Sequence, residues 1–247
     1  MIVSIGPSGS LVRGDRRNRS GRLRGKGFVR CRTVAGFNDI DAAGTHAMGA
    51  VLNGLSLSKI RPYGSGFLIF SDYGRAPIRL AAIMEIPVIY VFTHDSIGVG
   101  EDGPTHQPVE QILSLRAIPG LITIRPCDAN EVAEAWRVTL GLRHEPVALV
   151  LTRQALPTLD RTKYAPASGL AKGAYVLADA PGGSPEVLLI GTGSEVSLCI
   201  AAHDALSREG IRSRVVSMPA SSRMFRPTRS QGWRRRARPD LHRLRIF

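Results

Sequence analysis

The sequence predicts an α/β protein: a parallel sheet with helices on both faces, followed by an incomplete second α/β unit. Three observations predict it. Short apolar runs such as FLIF (Phe67–Phe70) and VIYVF (Val88–Phe92) are continuous rather than alternating, as strands buried on both faces are. Segments with apolar residues at helical spacing lie between these runs, and strand–helix alternation is the signature of a parallel sheet. The polar run THDSIGVGEDGPTHQP (Thr93–Pro108) directly follows VIYVF. That places a long loop at a strand end, where α/β folds keep their chemistry.

The elements follow in order. His46 to Ser58 is small and apolar at helical spacing, and Phe67–Phe70 is a short buried strand. Arg75 to Met84 is helical, with Pro77 tolerable only in its first turn. After the strand Val88–Phe92 and its loop, Pro108 can open a helix that runs through Leu115. Leu121–Arg125 is a strand, and Asp128 with Glu131 forms a capping box for a helix reaching about Leu142. Val147–Leu151 is the next strand, and Gln154–Ser168 is polar, contains proline and reads as a linker. Val187–Thr192, Glu195–Arg208 and Arg214–Met218 are the strand, helix and strand of a second unit too short to close a sheet.

The formal net charge of +13 suggests a nucleic-acid binder until it is localised. Residues 1–45 carry nine Lys/Arg against three acids, and residues 220–247 carry nine against one. The body between them holds fifteen against sixteen, so the basicity belongs to two arms. Such arms bind polyanions nonspecifically and lose affinity steeply with salt. They lack the interleaved aromatics of a base-stacking surface, Trp233 standing alone in the second. Cys31, Cys127 and Cys199 are isolated, without metal-site or disulfide-framework spacing, and read as reduced thiols of a cytoplasmic protein. No apolar run has the length of a membrane span. The Arg-rich, acid-poor opening Met1 to Thr33 is faintly similar to an organelle transit peptide, but its many glycines and lack of an amphipathic period make that the weaker reading.

Four strings carry a resemblance: RPYGSGFLIFSDY (61–73), THDSIGVGEDGPTHQP (93–108), LVLTRQALP (149–157) and GTGSEV (191–196). Together they resemble the transketolase family, thiamine-diphosphate enzymes that move two-carbon ketol units from a ketose phosphate to an aldose phosphate. The resemblance runs from about His46 to Pro219. It implies a pyrimidine-binding domain at 46–153, the linker 154–168 and the start of a C-terminal domain at 169–219. Residues 1–45 and 220–247 fall outside it as basic, disordered or out-of-frame segments.

The resemblance also assigns residues. Phe67, Phe70 and Tyr73 match the aromatic pocket around the cofactor's aminopyrimidine ring, although Phe67 and Phe70 would equally suit the core at a strand end. His94 and His106 match two active-site histidines, able to donate to sugar hydroxyls and move protons near neutral pH. Asp102 matches the acid that reads a donor hydroxyl, and Arg153 the arginine that binds the sugar phosphate. GTGSE joins a strand to a helix and could bind an anion there, but in the family it is structural. The implied partners are sugar phosphates and a second subunit, either an identical chain or a complete transketolase chain.

Two departures bear on activity. The family's cofactor-activating glutamate should precede His46, where this chain has Thr45, whose hydroxyl cannot serve as that acid. The family's diphosphate and Mg2+ site, built on a GDG motif, has no counterpart, since GEDG at 100–103 belongs to the substrate loop. Ala43-Gly44-Thr45, shifted by one base, can encode the missing Arg-Glu, and the Arg- and Ser-rich text after Pro219 suits an out-of-frame reading of GC-rich DNA. The expectation is therefore a truncated or frameshifted transketolase-like chain without activity of its own. Two alternatives stand beside it: a related enzyme of the dihydroxyacetone synthase or deoxyxylulose-phosphate synthase type, and a non-catalytic module with basic arms.

Overall fold

The computed structural model describes residues 2–12, 28–33 and 40–220, with side chains over 44–220 apart from residues 101 and 102. The basic stretches of the two arms fall largely outside these residues. Within the segment expected to be irregular up to residue 45, Ile2–Val12 (β1) and Phe28–Thr33 (β2) are strands, and α1 (Ile40–Leu57) begins at residue 40.

Next come β3 (Arg61–Phe67), α2 (Ser71–Ile83) and β4 (Ile89–Thr93). They are followed by α3 (Gln111–Arg116), β5 (Ile122–Ile124), α4 (Ala129–Gly141) and β6 (Val147–Val150). The first sheet has the order β2-β1-β3-β4-β6-β5, and its neighbouring strands pair in parallel. Side chains alternate across it. Tyr90, Phe92, Ala148 and Val150 pack under α1, α2 and α3 with Leu52, Leu68, Ile78 and Leu115. Ile89, Ile124, Val147 and Leu149 face α4 through Ala135 and the half-buried Trp136 on the other side. Both faces are thus covered, and the strands are continuous apolar runs for that reason.

Two expectations about the start of this sheet need correction. FLIF is not a strand: Phe67 ends β3, and Leu68–Phe70 form a single 3-10 turn leading straight into α2. The turn buries Leu68 completely while turning the neighbouring rings toward the sheet edge. The strand itself is Arg61–Phe67, whose Pro62, Gly64 and Gly66 argue against a strand on composition. Gly64 is required there because α1 lies close: a Cβ would sit 2.8 Å from Leu52 Cδ1 and 2.9 Å from Met48 Sδ. Pro77 lies well inside α2, past the first turn. The i−4 carbonyl, Tyr73, loses its donor. The proline ring packs so tightly on α1 that a Cβ at Gly49 would come within 2.6 Å of Pro77 Cγ, and Asn53 Nδ2 donates to the Pro77 carbonyl at 2.9 Å.

The second unit contains β7 (Tyr175–Ala178), β8 (Val187–Gly191), α5 (Glu195–Arg208) and β9 (Ser213–Ser217). The sheet order is β7-β9-β8, with β8 parallel and β7 antiparallel to β9. Val196 and Ile200 of α5 pack on Leu177 and Val215, whereas Leu188 and Ile190 stay exposed. Among the described residues only one face of this small sheet is covered. A bridge between Ile124 and Ala220 joins it to the edge of the large sheet.

Candidate cofactor and substrate site

Neighbouring parallel strands end side by side, so the loops leaving β3, β4 and β6 converge on one edge. The turn after β3 presents Phe67 and Phe70, with ring centroids 6.0 Å apart and 19° between their planes. Tyr73, in the first turn of α2, follows at 6.3 Å from Phe70 and is half exposed. The loop after β4 brings His94 to 4.0 Å from Phe67, centroid to centroid. His106, at the far end of the same loop, meets Phe67 at 5.6 Å and Phe70 at 5.5 Å, edge-on to each. Five side chains spread over forty residues thus form one patch of rings.

The loop reaches this position through specific turns. His94 has φ of +61°, a conformation uncommon for any residue with a side chain. The Ser96 hydroxyl accepts from Gly98 N at 3.3 Å and starts the 3-10 turn Ile97–Asp102, which breaks at Gly100 with φ +79°. His106 N then donates to the Gly103 carbonyl at 3.1 Å. Each histidine has a threonine before it, and Thr93 Oγ1 and Thr105 Oγ1 lie 2.9 Å from the Nδ1 of His94 and His106. A hydroxyl on Nδ1 orients the ring. The repeated Thr-His pair was visible in the sequence, but its meaning was missed.

Asp102 ends the 3-10 turn, and its side chain is outside the described part. Arg153 is exposed on the loop leaving β6 and makes no hydrogen bond or ion pair among the described residues. Its neighbour Gln154 touches the histidine loop, its Nε2 lying 3.2 Å from where a Cβ of Gly98 would be. Thr45 is buried in α1 against α2, with its Cγ2 3.0 Å from the position of a Cβ on Gly74. Position 45 therefore adjoins the helix turn that carries Tyr73, but it offers no carboxyl.

Two family models match this chain: the transketolase pyrimidine-binding domain over residues 46–158, and the transketolase-like C-terminal domain over residues 173–242. A transketolase of Halalkalibacterium halodurans is 57% identical over 178 residues, which cover 72% of this chain and 27% of that protein. The chain belongs to the transketolase family. It spans about a quarter of the length of the curated transketolases it matches. Transketolase from Leishmania mexicana superposes with a TM-score of 0.68 at 48% identity, over 73% of this chain and 26% of that one. A chain described as a split gene transketolase, inactive beta4 tetramer, shares the fold at a TM-score of 0.60 and 20% identity, over 77% of this chain and 57% of its own. The sheet edge just described lies within the stretch matched to the transketolase pyrimidine-binding domain.

Behind the rings stands a second cluster that the sequence did not reveal. Arg125, just after β5, is 4% exposed and donates from Nε to Asp95 Oδ2 at 2.7 Å. Its Nη2 donates to Glu195 Oε1 at 2.9 Å and its Nη1 to Glu195 Oε2 and, at 2.9 Å, to the Thr192 carbonyl. Burial lowers the guanidinium pKa, but hydrogen bonds and charge from Glu195 and Asp95 outweigh it and hold Arg125 above its ordinary value. The GTGSE turn is thus filled by an arginine of the first unit. Asp95 and Glu195 lie 30 and 70 residues from Arg125, so no local pattern could announce the cluster.

The two units are also joined through α4. Asp128 caps it, accepting from Glu131 N at 2.8 Å, while the reciprocal arm of the box reaches Cys127 N at 2.9 Å. Glu131 Oε1 also accepts from Tyr175 OH and Ser217 Oγ of the second unit, both at 2.7 Å. Arg161 completes the network through Asp128 Oδ1 at 2.8 Å and Tyr175 OH at 3.1 Å. Burial and the nearby Glu131 and Asp128 push the Cys127 thiol far up, so it is an inert core thiol. No group of three His, Cys, Asp or Glu poised for a metal occurs among the described residues, and no helix there is long and apolar enough to cross a membrane.

Proposed function

We propose that this chain is a transketolase-type binding unit that holds the aminopyrimidine ring of thiamine diphosphate and the hydroxyl-bearing end of a ketose phosphate. In this reading it acts beside a complete chain of the family and does not turn over substrate alone. The observation that supports it is the convergence of Phe67, Phe70, Tyr73, His94 and His106 on one sheet edge.

The fit to the cofactor is partial. Three half-open aromatic rings suit a flat heteroaromatic ring, which binds by stacked and edge-on contacts. Thr45 supplies no acid to that ring, and the described residues offer no cluster for the metal of the diphosphate. When bound, thiamine diphosphate supplies a nucleophilic carbon for ketol transfer. The chain's own residues bind and orient. His94 and His106, each held at Nδ1 by a threonine, present Nε2 to substrate hydroxyls and can carry a proton between them and solvent. Asp102 accepts a hydroxyl hydrogen bond, so the wrong stereoisomer would leave it unpaired. Arg153, exposed at the same edge, takes the phosphate.

Titration of the full chain with thiamine diphosphate, followed through the ring signals of His94 and His106, should move both sets. Phe67→Ala should weaken that binding about tenfold, the value of one lost aromatic contact. Xylulose 5-phosphate and ribose 5-phosphate should not be converted by the chain alone. Histidine signals unmoved at saturating thiamine diphosphate would overturn the binding role, and turnover by the isolated chain would overturn its dependence on a partner.

A further inference from the structure

We infer that the GTGSE turn of the second unit positions His94, acting through Glu195, Arg125 and Asp95 in series. The inference deepens the proposed function and rests on it: a histidine that contacts substrate would owe its geometry to a unit outside the site.

The argument begins with the backbone. A residue with a side chain at φ +61° persists only where its surroundings impose that conformation. His94 is pinned on both sides. Thr93 is fixed in β4 by its register with Phe67 of β3. Asp95 is 2% exposed, and its Oδ2 is tied to Arg125 Nε at 2.7 Å. The other oxygen, Oδ1, has no hydrogen-bond partner among the described residues, so among them Arg125 is the one tether of that carboxylate.

Arg125 is in turn held by the second unit. Glu195 takes both terminal nitrogens, and the Thr192 carbonyl accepts a further bond at 2.9 Å. Its backbone is held as well: Arg125 N donates to Pro219 O at 2.6 Å, and Gly193 N donates to Arg125 O at 3.1 Å. Gly193 has φ +58°, and a Cβ there would lie 2.6 Å from Arg125 Nε. The turn is therefore shaped to receive the guanidinium. A planar fork gripped by two carboxylates has a fixed orientation, and that orientation passes to Asp95. His106 reaches the same rings by a separate route, through Gly103 O and Thr105.

Glu195→Ala in the full chain tests the relay, because the Glu195 side chain is 45% exposed and the chain can lose it without opening its core. The readout is the ring signals of His94, shifted by Phe67 at 4.0 Å, against those of His106 as internal reference. The expected result is loss of the Phe67-induced shift at His94 with His106 and Trp136 unchanged. Glu195→Gln, which keeps an acceptor for one nitrogen, should restore part of it. Asp95→Ala, which removes the acceptor of Arg125 Nε, should give the same His94 signature without touching the second unit. A His94 signal in folded Glu195→Ala or folded Asp95→Ala that coincides with the unsubstituted chain overturns the relay. Failure of thiamine diphosphate to bind the unsubstituted chain would sink the proposed function, and a displaced His94 in Glu195→Ala would still establish the relay.

Discussion

The ring patch and the Glu131 network lie at the same end of the large sheet and are built in opposite ways. The ring patch joins half-open side chains, and its histidines are oriented by the hydroxyl of the residue before each. The Glu131 network joins buried charged and polar groups from α4, the linker and the second unit, with the Glu131 side chain accepting three hydrogen bonds at 0% exposure. One cluster keeps surface for a ligand, and the other leaves none. The comparison teaches where rigidity is stored. In the proposed function, the ring patch can stay open to rings and hydroxyls because the frame behind it is locked by groups too costly to separate.

The sharpest way to break this contrast is Glu131→Ala. It takes the acceptor from Tyr175 OH, which is partly buried, and from Ser217 Oγ and Cys127 N, which are buried. Leaving buried donors unpaired is expensive, and the expected loss is about 4 kcal/mol. Denaturant unfolding of the full chain would show it as a lower midpoint. Phe67→Ala should cost far less stability and far more ligand affinity. If the two variants lost equal stability, the division between frame and site would be wrong.

A smaller effect separates the clusters by pH. Tyr175 is held above its ordinary pKa by burial and then by Glu131, and Tyr90 by burial alone. A raised tyrosine pKa means that the folded chain binds the proton more tightly than the unfolded one. The stabilisation is complete below the unfolded value of about 10 and is lost as pH rises above it. Alkaline titration should show the phenolates of Tyr90 and Tyr175 only as the chain unfolds. Tyr175→Phe should flatten the fall in unfolding midpoint above about pH 10. An unchanged slope would mean that the Tyr175 hydroxyl is not part of the lock.

How much of this was legible depended on the range of the interaction. The continuous runs around Ile89–Thr93 and Val147–Val150 announced strands buried on both faces, and the helix Glu195–Arg208 falls where its pattern put it. The Asp128–Glu131 box was readable because its residues are three apart, and one arm forms as expected. β3 was hidden by Pro62, Gly64 and Gly66, of which Gly64 answers to the approach of α1 rather than to strand propensity. Pro77 was misplaced because its tolerance inside α2 comes from Gly49 on another helix. At the site, Phe67, His94 and Arg153 could be nominated because the strings that hold them resemble transketolase motifs, and the structure puts Phe67 at the end of β3, His94 just after β4 and Arg153 on the loop leaving β6. Their support could not: Asp95, Arg125 and Glu195 are individually unremarkable, and only the tertiary fold brings them together.

The smallest expected effect marks the outer limit of the lock. Glu186 and Arg212 also join two segments of the second unit, with Arg212 N donating to Glu186 Oε2 at 3.0 Å and Arg212 Nε at 3.5 Å. The backbone hydrogen bond, more than the charge of Arg212, holds the Glu186 carboxyl below its usual range. Both side chains are about half exposed, so water competes for each partner and salt screens the pair. Glu186→Gln keeps an oxygen for the backbone donor and removes only the charge. Its unfolding midpoint should match that of the unsubstituted chain at low and at high salt. A clear drop at low salt would show that the seam between β8 and β9 relies on surface charge, and the distinction between buried frame and solvated periphery would have to be redrawn there.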